Sequence, residues 1–141
     1  MIVCEQMTFS AQGDRFTPSS VSAPFTKSHD PGVIGKRGRY IGVPIPYGMA
    51  EFDVPEEEKE KIRYLHRLVV PHLSAIKAAG ADVLRIHISY GYADQCSLAF
   101  SRDEIQMLAE MDCDIPIDCW KGEPIQPVET PEAAARPPRL T

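Results

Sequence analysis

The feature that most constrains the fold is a change in the period of the apolar residues at Gly80. Before this glycine, apolar residues recur at steps of three and four, which places them on one face of a helix. After it, apolar and polar residues alternate, as on a strand with one buried face. The helical positions are Ile62, Leu65, Val69, Leu73 and Ile76, and the strand positions are Leu84, Ile86, Ile88 and Tyr90. The two patterns together predict a helix packed on a sheet.

The first helix is predicted over residues 55–79. Its first turns are rich in glutamate, and negative charge is favourable at the positive end of the helix dipole. Gly80 suits the left-handed conformation that often ends a helix. Pro71 lies inside the pattern and removes one backbone donor, so we expect a kink or a split there.

A second helix is predicted over residues 102–111. The run Ser101-Arg102-Asp103-Glu104 matches a capping box, in which the serine caps the helix and the glutamate bonds back to it. We expect this helix to bury Ile105 and Leu108. Just before it, residues 95–100 are predicted to pair with 81–90 as a hairpin, through a turn at 91–94.

The remaining elements follow from alternation, turn residues and prolines. They are a first strand over 2–10, a turn at 12–14, a helical turn over 18–23 capped by Thr17, a long polar loop over 26–39, an interrupted edge strand or broken hairpin over 40–54, and a closing strand over 115–120. The predicted fold class is α+β: an antiparallel sheet of four to five strands with two helices, about 55–79 and 102–111, on one face. Residues 1–120 are expected to form one domain, and 121–141 a Pro-rich disordered tail.

Composition excludes several classes of function. The net charge of -5 argues against general nucleic-acid binding and favours a basic protein partner. The four cysteines show no CxxC spacing, and the N-terminus lacks the pattern of a signal peptide, so we expect a cytoplasmic protein with reduced thiols. No stretch approaches the length of a membrane span, so no membrane partner is expected.

The densest charged feature is an acidic cluster around the start of the first predicted helix. Its residues are Glu51, Asp53, Glu56, Glu57, Glu58 and Glu60. One interpretation is a solvated helix start that benefits from the dipole. The other is an acidic surface for a basic partner, with Tyr90 and Tyr92 as aromatic contacts, since aromatic anchors dominate interfaces.

A second candidate site is a glycine-rich basic loop. Gly32, Gly35 and Gly38 are spaced as GxxGxxG, and Lys36, Arg37 and Arg39 lie among them. Backbone amides and cations of such a loop can hold a phosphate, and Arg85 and His87 on the polar side of a strand are candidates to complete a ligand site. The spacing does not match a Walker A loop or a dinucleotide fingerprint, and a solvated basic loop is the other interpretation. No catalytic, metal or cofactor signature is present.

The order of elements resembles an uncharacterised bacterial domain-of-unknown-function family of small α/β proteins. The resemblance lies in the opening strand, the turn Phe16-Thr17-Pro18-Ser19, the long helix, the strand through Tyr90, the stretch Leu98-Ala99-Phe100-Ser101-Arg102-Asp103-Glu104-Ile105 and the ending Ile115-Pro116-Ile117-Asp118-Cys119-Trp120. It covers most of residues 1–120 and brings no catalytic residues. By analogy, small bacterial proteins of this kind are often immunity partners of toxins.

These features lead to two hypotheses of function. The first is an acidic protein-binding module, most specifically a bacterial immunity protein that binds and neutralises a basic toxin. The alternative is a small-ligand-binding protein or enzyme that uses loop 32–39 with Arg85 and His87. A role in oligomerisation through residues 40–47 is disfavoured, because prolines there oppose strand addition.

Overall fold

The structure, a computed structural model, describes residues 2–95 and 97–122. Its strands are β1 (Ile2–Gly13), β2 (Lys27–His29), β3 (Gly48–Asp53), β4 (Val83–Tyr92) and β5 (Ile117–Lys121). Its helices are α1 (Lys61–Val69), α2 (Leu73–Ala78) and α3 (Arg102–Glu110), with short 3-10 turns at Pro18–Ser20, Gly38–Tyr40 and Val70–His72.

The strands form one five-stranded sheet in the order β2-β3-β1-β4-β5. Strand β1 is central and antiparallel to both β3 and β4, and β2 is antiparallel to β3. Only β4 and β5 run parallel, because α3 carries the chain back between them. The predicted α+β class is confirmed, as a mixed but mostly antiparallel sheet with its helices on one face.

The core lies between this sheet and the helices. Phe9, Phe52 and Ile86 are fully buried on the sheet side, and Leu65 and Met111 on the helix side. Burying such a side chain contributes about 1.5–3 kcal/mol relative to leaving it in water. Alternation along the strands therefore fixes which face of the sheet the helices cover.

The first predicted helix is confirmed in part. Helix α1 begins at Lys61 rather than at 55, because the preceding residues form a turn in which Glu58 N–H bonds to the Pro55 carbonyl at 3.0 Å. The predicted interruption at Pro71 is confirmed, since a 3-10 turn separates α1 from α2 there. Gly80 follows with φ +110°, the left-handed conformation expected of it.

The capping box of α3 is confirmed. Ser101 Oγ accepts from Glu104 N–H at 3.1 Å, and Ser101 N–H donates to Glu104 Oε1 at 2.9 Å. The expected burial of Ile105 is wrong, since its side chain is 56% exposed. Leu108 is buried as expected, and Met107 and Met111 face the core with it.

The predicted hairpin of 81–90 with 95–100 is wrong. Strand β4 continues through the expected turn to Tyr92 and pairs with β1 and β5, while the described residues of 95–100 form no strand. Both edges of β4 already have a hydrogen-bonded partner strand. Strand β1 pairs along one edge, and β5, which follows α3 in the chain, pairs along the other. Cys96, on the predicted return strand, lies outside the described residues.

Three expectations for the first half of the chain also need correction. Strand β1 runs on through the expected turn, because Gln12 and Gly13 pair with β3. The predicted loop 26–39 contains β2, and β2 makes β3 an internal rather than an edge strand. Thr17 forms no side-chain cap, although Pro18 does open the 3-10 turn. Residues 123–141 of the predicted tail lie outside the described residues.

Gly48, the first residue of β3, provides a test of this packing. A Cβ at this position would lie 1.8 Å from the Phe16 carbonyl oxygen, so Gly48→Ala must displace backbone. We expect a loss of at least about 3 kcal/mol in the free energy of unfolding, measured by urea denaturation. Gly32→Ala is the control, because Gly32 has φ +93° and open space around it, and its cost should be only about 1–2 kcal/mol. Equal losses in the two variants would contradict the packing described.

Candidate functional site

The sheet has one face that no helix covers within the described part of the chain. We call it the open face. Because side chains alternate along a strand, it carries the residues between the buried positions. These include Thr8, Ser10 and Gln12 on β1, Glu51 and Asp53 on β3, Arg85, His87 and Ser89 on β4, Lys27 and His29 on β2, and Asp118 on β5. The open face is polar and mixed in charge.

The strand register arranges these side chains in rows. In one row, Lys27 lies opposite Glu51, Glu51 opposite Ser10, and Ser10 opposite Arg85. Directly opposed side chains of an antiparallel pair are close enough to interact, so opposite charges there stabilise the sheet. The row therefore places a carboxylate beside a lysine, with an arginine two strands away.

The next row centres on Thr8. It lies opposite Asp53 on one side and His87 on the other, and its hydroxyl donates to Asp53 Oδ1 at 3.0 Å. The backbone N–H of Asp53 donates to Thr26 Oγ1 at 2.9 Å. These bonds fix both the backbone and the carboxylate of Asp53 at the end of β3.

Glu51 is electrostatically perturbed by this arrangement. Partial burial raises the pKa of its carboxyl group, and the negative charge of Asp53 adds to the increase. Lys27, His87 and His29 act in the opposite direction but do not outweigh these effects. The open face thus holds a carboxylate whose ionised form is less favourable than it would be in water.

A groove opens where β3 ends, between Asp53 and the middle of β1. Its volume is about 290 Å³, and it is lined by Gln6, Met7, Thr8, Asp53, Val54 and Glu56. Two carboxylates stand beside an apolar lining from Met7 and Val54. A lysine or arginine side chain has the matching chemistry, because its apolar stem can pack while its charged head meets a carboxylate. We call this the acidic groove.

Aromatic rings mark both edges of the open face. On the β5 side, the Trp120 ring lies over Gly91, where a Cβ would come within 2.9 Å of it. On the β2 side, the rings of His29 and Tyr47 are 5.8 Å apart, and those of Tyr47 and Tyr40 6.0 Å apart. Amphipathic rings of this kind are enriched in protein interfaces.

The structure separates the predicted acidic residues into two groups. Glu51, Asp53 and Glu56 belong to the open face or the acidic groove. Glu57, Glu58 and Glu60 lie in the segment before α1, where Glu60 N–H donates to Glu58 Oε1 at 3.1 Å. Glu60 also forms a long ion pair of 3.9 Å with Arg63.

The two tyrosines proposed to accompany them lie elsewhere. Tyr90 is only 7% exposed and belongs to the core, so it offers no surface to a partner. Tyr92 is two residues along the same strand and therefore shares that side of the sheet. Alternation placed Tyr90 correctly on the apolar face, which the helices cover, whereas Tyr92 was predicted to lie in a turn and instead belongs to β4.

The alternative ligand site is not assembled. Lys36, Arg37 and Arg39 are exposed in the segment between β2 and β3, whereas Arg85 and His87 lie on β4. Strands β3 and β1 separate β2 from β4, and neighbouring strands are about 4.8 Å apart. No contact found among the described residues joins the two groups.

The sequence analysis missed Gln6, Thr8 and Lys27. Polar positions alternating with Met7 and Phe9 were a signal that Gln6 and Thr8 share a face. What the sequence did not contain was the register that puts Thr8 beside Asp53. Within residues 2–95 and 97–122, no three His, Cys, Asp or Glu side chains are grouped so that they could hold a metal ion.

Comparisons with known proteins identify no relative. No protein-family model matches the chain, and neither a curated protein nor a solved structure is significantly similar to it. Among the described residues, no helix has the length and apolar character needed to cross a membrane.

Glu51→Gln tests the electrostatics of the open face. A raised pKa means that the folded state holds the proton more tightly than the unfolded state, so stability falls as pH rises above the ordinary value of 4.5. Solvent screens this half-buried group, so removing the charge should raise the free energy of unfolding at about pH 7 by only a few tenths of a kcal/mol, and this gain should vanish by about pH 4. Urea denaturation at both pH values measures it. Glu57→Gln, at an exposed position, should change little, and a destabilised Glu51→Gln at neutral pH would contradict the interpretation.

Cys113 provides a test of thiol chemistry. Burial raises the pKa of its thiol to about 12, with Asp112 adding to the increase, and the thiol donates to the Met111 carbonyl at 3.0 Å. We expect iodoacetamide at about pH 8 to modify Cys113 at least about 100-fold more slowly than the exposed Cys119. Peptide mass spectrometry measures both rates. In denaturant the two rates should converge, and similar rates in the native protein would contradict the burial of Cys113.

Proposed function

We propose that the chain is a protein-binding module whose contact surface is the open face together with the acidic groove. The acidic groove carries this proposal. It combines the carboxylates of Asp53 and Glu56 with the apolar lining from Met7 and Val54, which is the environment that receives a lysine or arginine anchor. The partner therefore presents at least one exposed basic side chain.

Hydrogen bonds within the protein hold Asp53 of the acidic groove in place before a partner binds. The Thr8 hydroxyl holds Asp53 Oδ1, and Thr26 holds the Asp53 backbone. A carboxylate fixed before binding loses little conformational entropy when a partner arrives. Its charge-assisted hydrogen bond to a guanidinium or ammonium group would then contribute more than a neutral hydrogen bond does.

The surroundings of the groove extend the contact. The open face crosses five strands, or about 19 Å at the usual strand spacing, and aromatic rings lie at both of its edges. Alternating charges in the row of Lys27, Glu51 and Arg85 favour a partner with the complementary pattern. Flat, mixed surfaces with aromatic residues are typical of protein interfaces rather than of small-ligand sites.

The most specific form of this proposal is an immunity protein that neutralises a basic toxin. It is supported by the acidic net charge, by the acidic groove and by the run of glutamates that continues from it towards α1. Long-range attraction between opposite net charges accelerates association, which suits a protein that must capture a harmful partner quickly.

Coexpression with the product of the adjacent gene tests the proposal. We expect a complex that copurifies and that weakens as salt is raised, because opposite charges meet in it. Hydrogen exchange in the complex should slow at β1 and β3, which border the acidic groove. Absence of a complex, or protection confined to the helices, would contradict the proposal.

Asp53→Asn isolates the contribution of the acidic groove. The substitution keeps the shape of the side chain but removes its charge, so we expect affinity for the partner to fall about 30-fold, equivalent to about 2 kcal/mol. Isothermal titration calorimetry measures the change. Asp14→Asn, in the exposed turn after β1, alters net charge equally and should leave affinity within about twofold. Equal losses in both variants would show that only net charge matters.

A further inference from the structure

We propose that the segment between β2 and β3 is a surface for a lipid bilayer with anionic headgroups. Residues 31–47 are called the cationic loop. This inference is independent of the proposed protein partner, because the exposed cations and aliphatic side chains that carry it lie outside the open face and the acidic groove. It also revises the expectation, drawn from the sequence, that the chain has no membrane partner.

The cationic loop is an ordered projection with two arms. Gly32 N–H bonds to the Ile45 carbonyl at 2.7 Å, Ile45 N–H to the Val33 carbonyl at 2.8 Å, and Gly35 N–H to the Val43 carbonyl at 2.9 Å. These bonds hold the arms together and place residues 36–40 at the turn between them. Lys36, Arg37 and Arg39 therefore lie together at the tip.

Aliphatic side chains on the arms are left in solvent. Val33, Ile34, Ile41 and Val43 are 45–65% exposed, and they account for four of the seven large exposed hydrophobic residues in the described part of the chain. Single exposed aliphatic residues are ordinary, but a local group of four marks an interaction surface. Along the chain, two of these residues precede and two follow the cations Lys36, Arg37 and Arg39.

The composition of the segment identifies the chemistry of the occupant. From Pro31 to Ala50 there is no Asp, Glu, Asn, Gln, Ser, Thr or His, so its polar side chains are three cations and two tyrosines. In a protein of net charge -5, this local excess of positive charge complements an anionic surface. The scarcity of hydrogen-bonding side chains favours an occupant that needs no specific pairing.

An anionic bilayer satisfies both features at once. Acidic headgroups attract the cations, and the acyl boundary accepts the aliphatic side chains, as it does for amphipathic segments that lie in the interface. The ring of Tyr40, at the turn, lies 6.0 Å from that of Tyr47, at the base of the loop, and tyrosine rings suit the headgroup level. A nucleic acid would bind the three cations but would make no use of the exposed aliphatic side chains. The net charge of -5 also opposes nucleic-acid binding.

Vesicle cosedimentation tests the inference with the full chain. We expect the protein to pellet with phosphatidylcholine vesicles that contain about one-third phosphatidylserine, and to remain in the supernatant with phosphatidylcholine alone. Replacing Lys36, Arg37 and Arg39 by Gln should reduce the partition coefficient about fivefold for each cation, and so roughly 100-fold in total. Replacing Ile34 and Ile41 by Ser should also weaken binding while leaving the charge unchanged.

The matched control is the triple variant Lys59→Gln, Arg67→Gln and Arg102→Gln. It makes the same change of charge at three exposed positions outside the loop and should bind like the native chain. Equal loss in this control, equal binding to both vesicle types, or no binding of the native chain would overturn the inference. Binding to an AT-rich DNA duplex without binding to vesicles would overturn it too, and would assign the cationic loop to nucleic acid. Circular dichroism of every variant distinguishes these outcomes from unfolding.

Discussion

Pairing of β1 along both of its edges is the constraint on which the other strands depend. Its backbone bonds to β3 on one side and to β4 on the other, while Met7, Phe9 and Ala11 face the core between them. Strands β2 and β5 join the sheet only through these two neighbours. One register along β1 therefore determines which side chains share a row across the whole sheet.

That register also determines which side chains lie on each of the two faces of the sheet. One face is apolar and holds the helices, whereas the other places residues from different strands side by side. Thr8 and Asp53 are 45 positions apart in the chain but share a hydrogen bond, and Glu51 lies between Lys27 and Ser10. The acidic groove lies where β3 ends at Asp53 while β1 continues beside it through Met7 and Gln6. Its chemistry is thus a property of strand pairing rather than of any one segment.

The sequence was informative where structure depends on near neighbours. Pro71 removes a donor from its own helix, Gly80 takes a local left-handed conformation, and Ser101 bonds to a residue three positions on, so each was predictable. The pairing of β4 with β5 was not predictable from the sequence. Backbone hydrogen bonds form with any sequence, and residues 95–100 show the apolar alternation of a strand. The acidic members of the site were visible as a cluster, but the contribution of Thr8 required the register between strands.

The short strand at one margin of the sheet has a consequence for behaviour at high concentration. Strand β2 has only three residues, Lys27–His29, so few backbone groups remain along its outer side to template another chain. At the opposite margin, β5 carries Asp118 and Lys121. Short edge strands and charged side chains are two of the features by which natural sheets resist edge-to-edge pairing. In the described part of the chain, both margins of a sheet with one face free of helices therefore carry features that oppose stacking on a second copy.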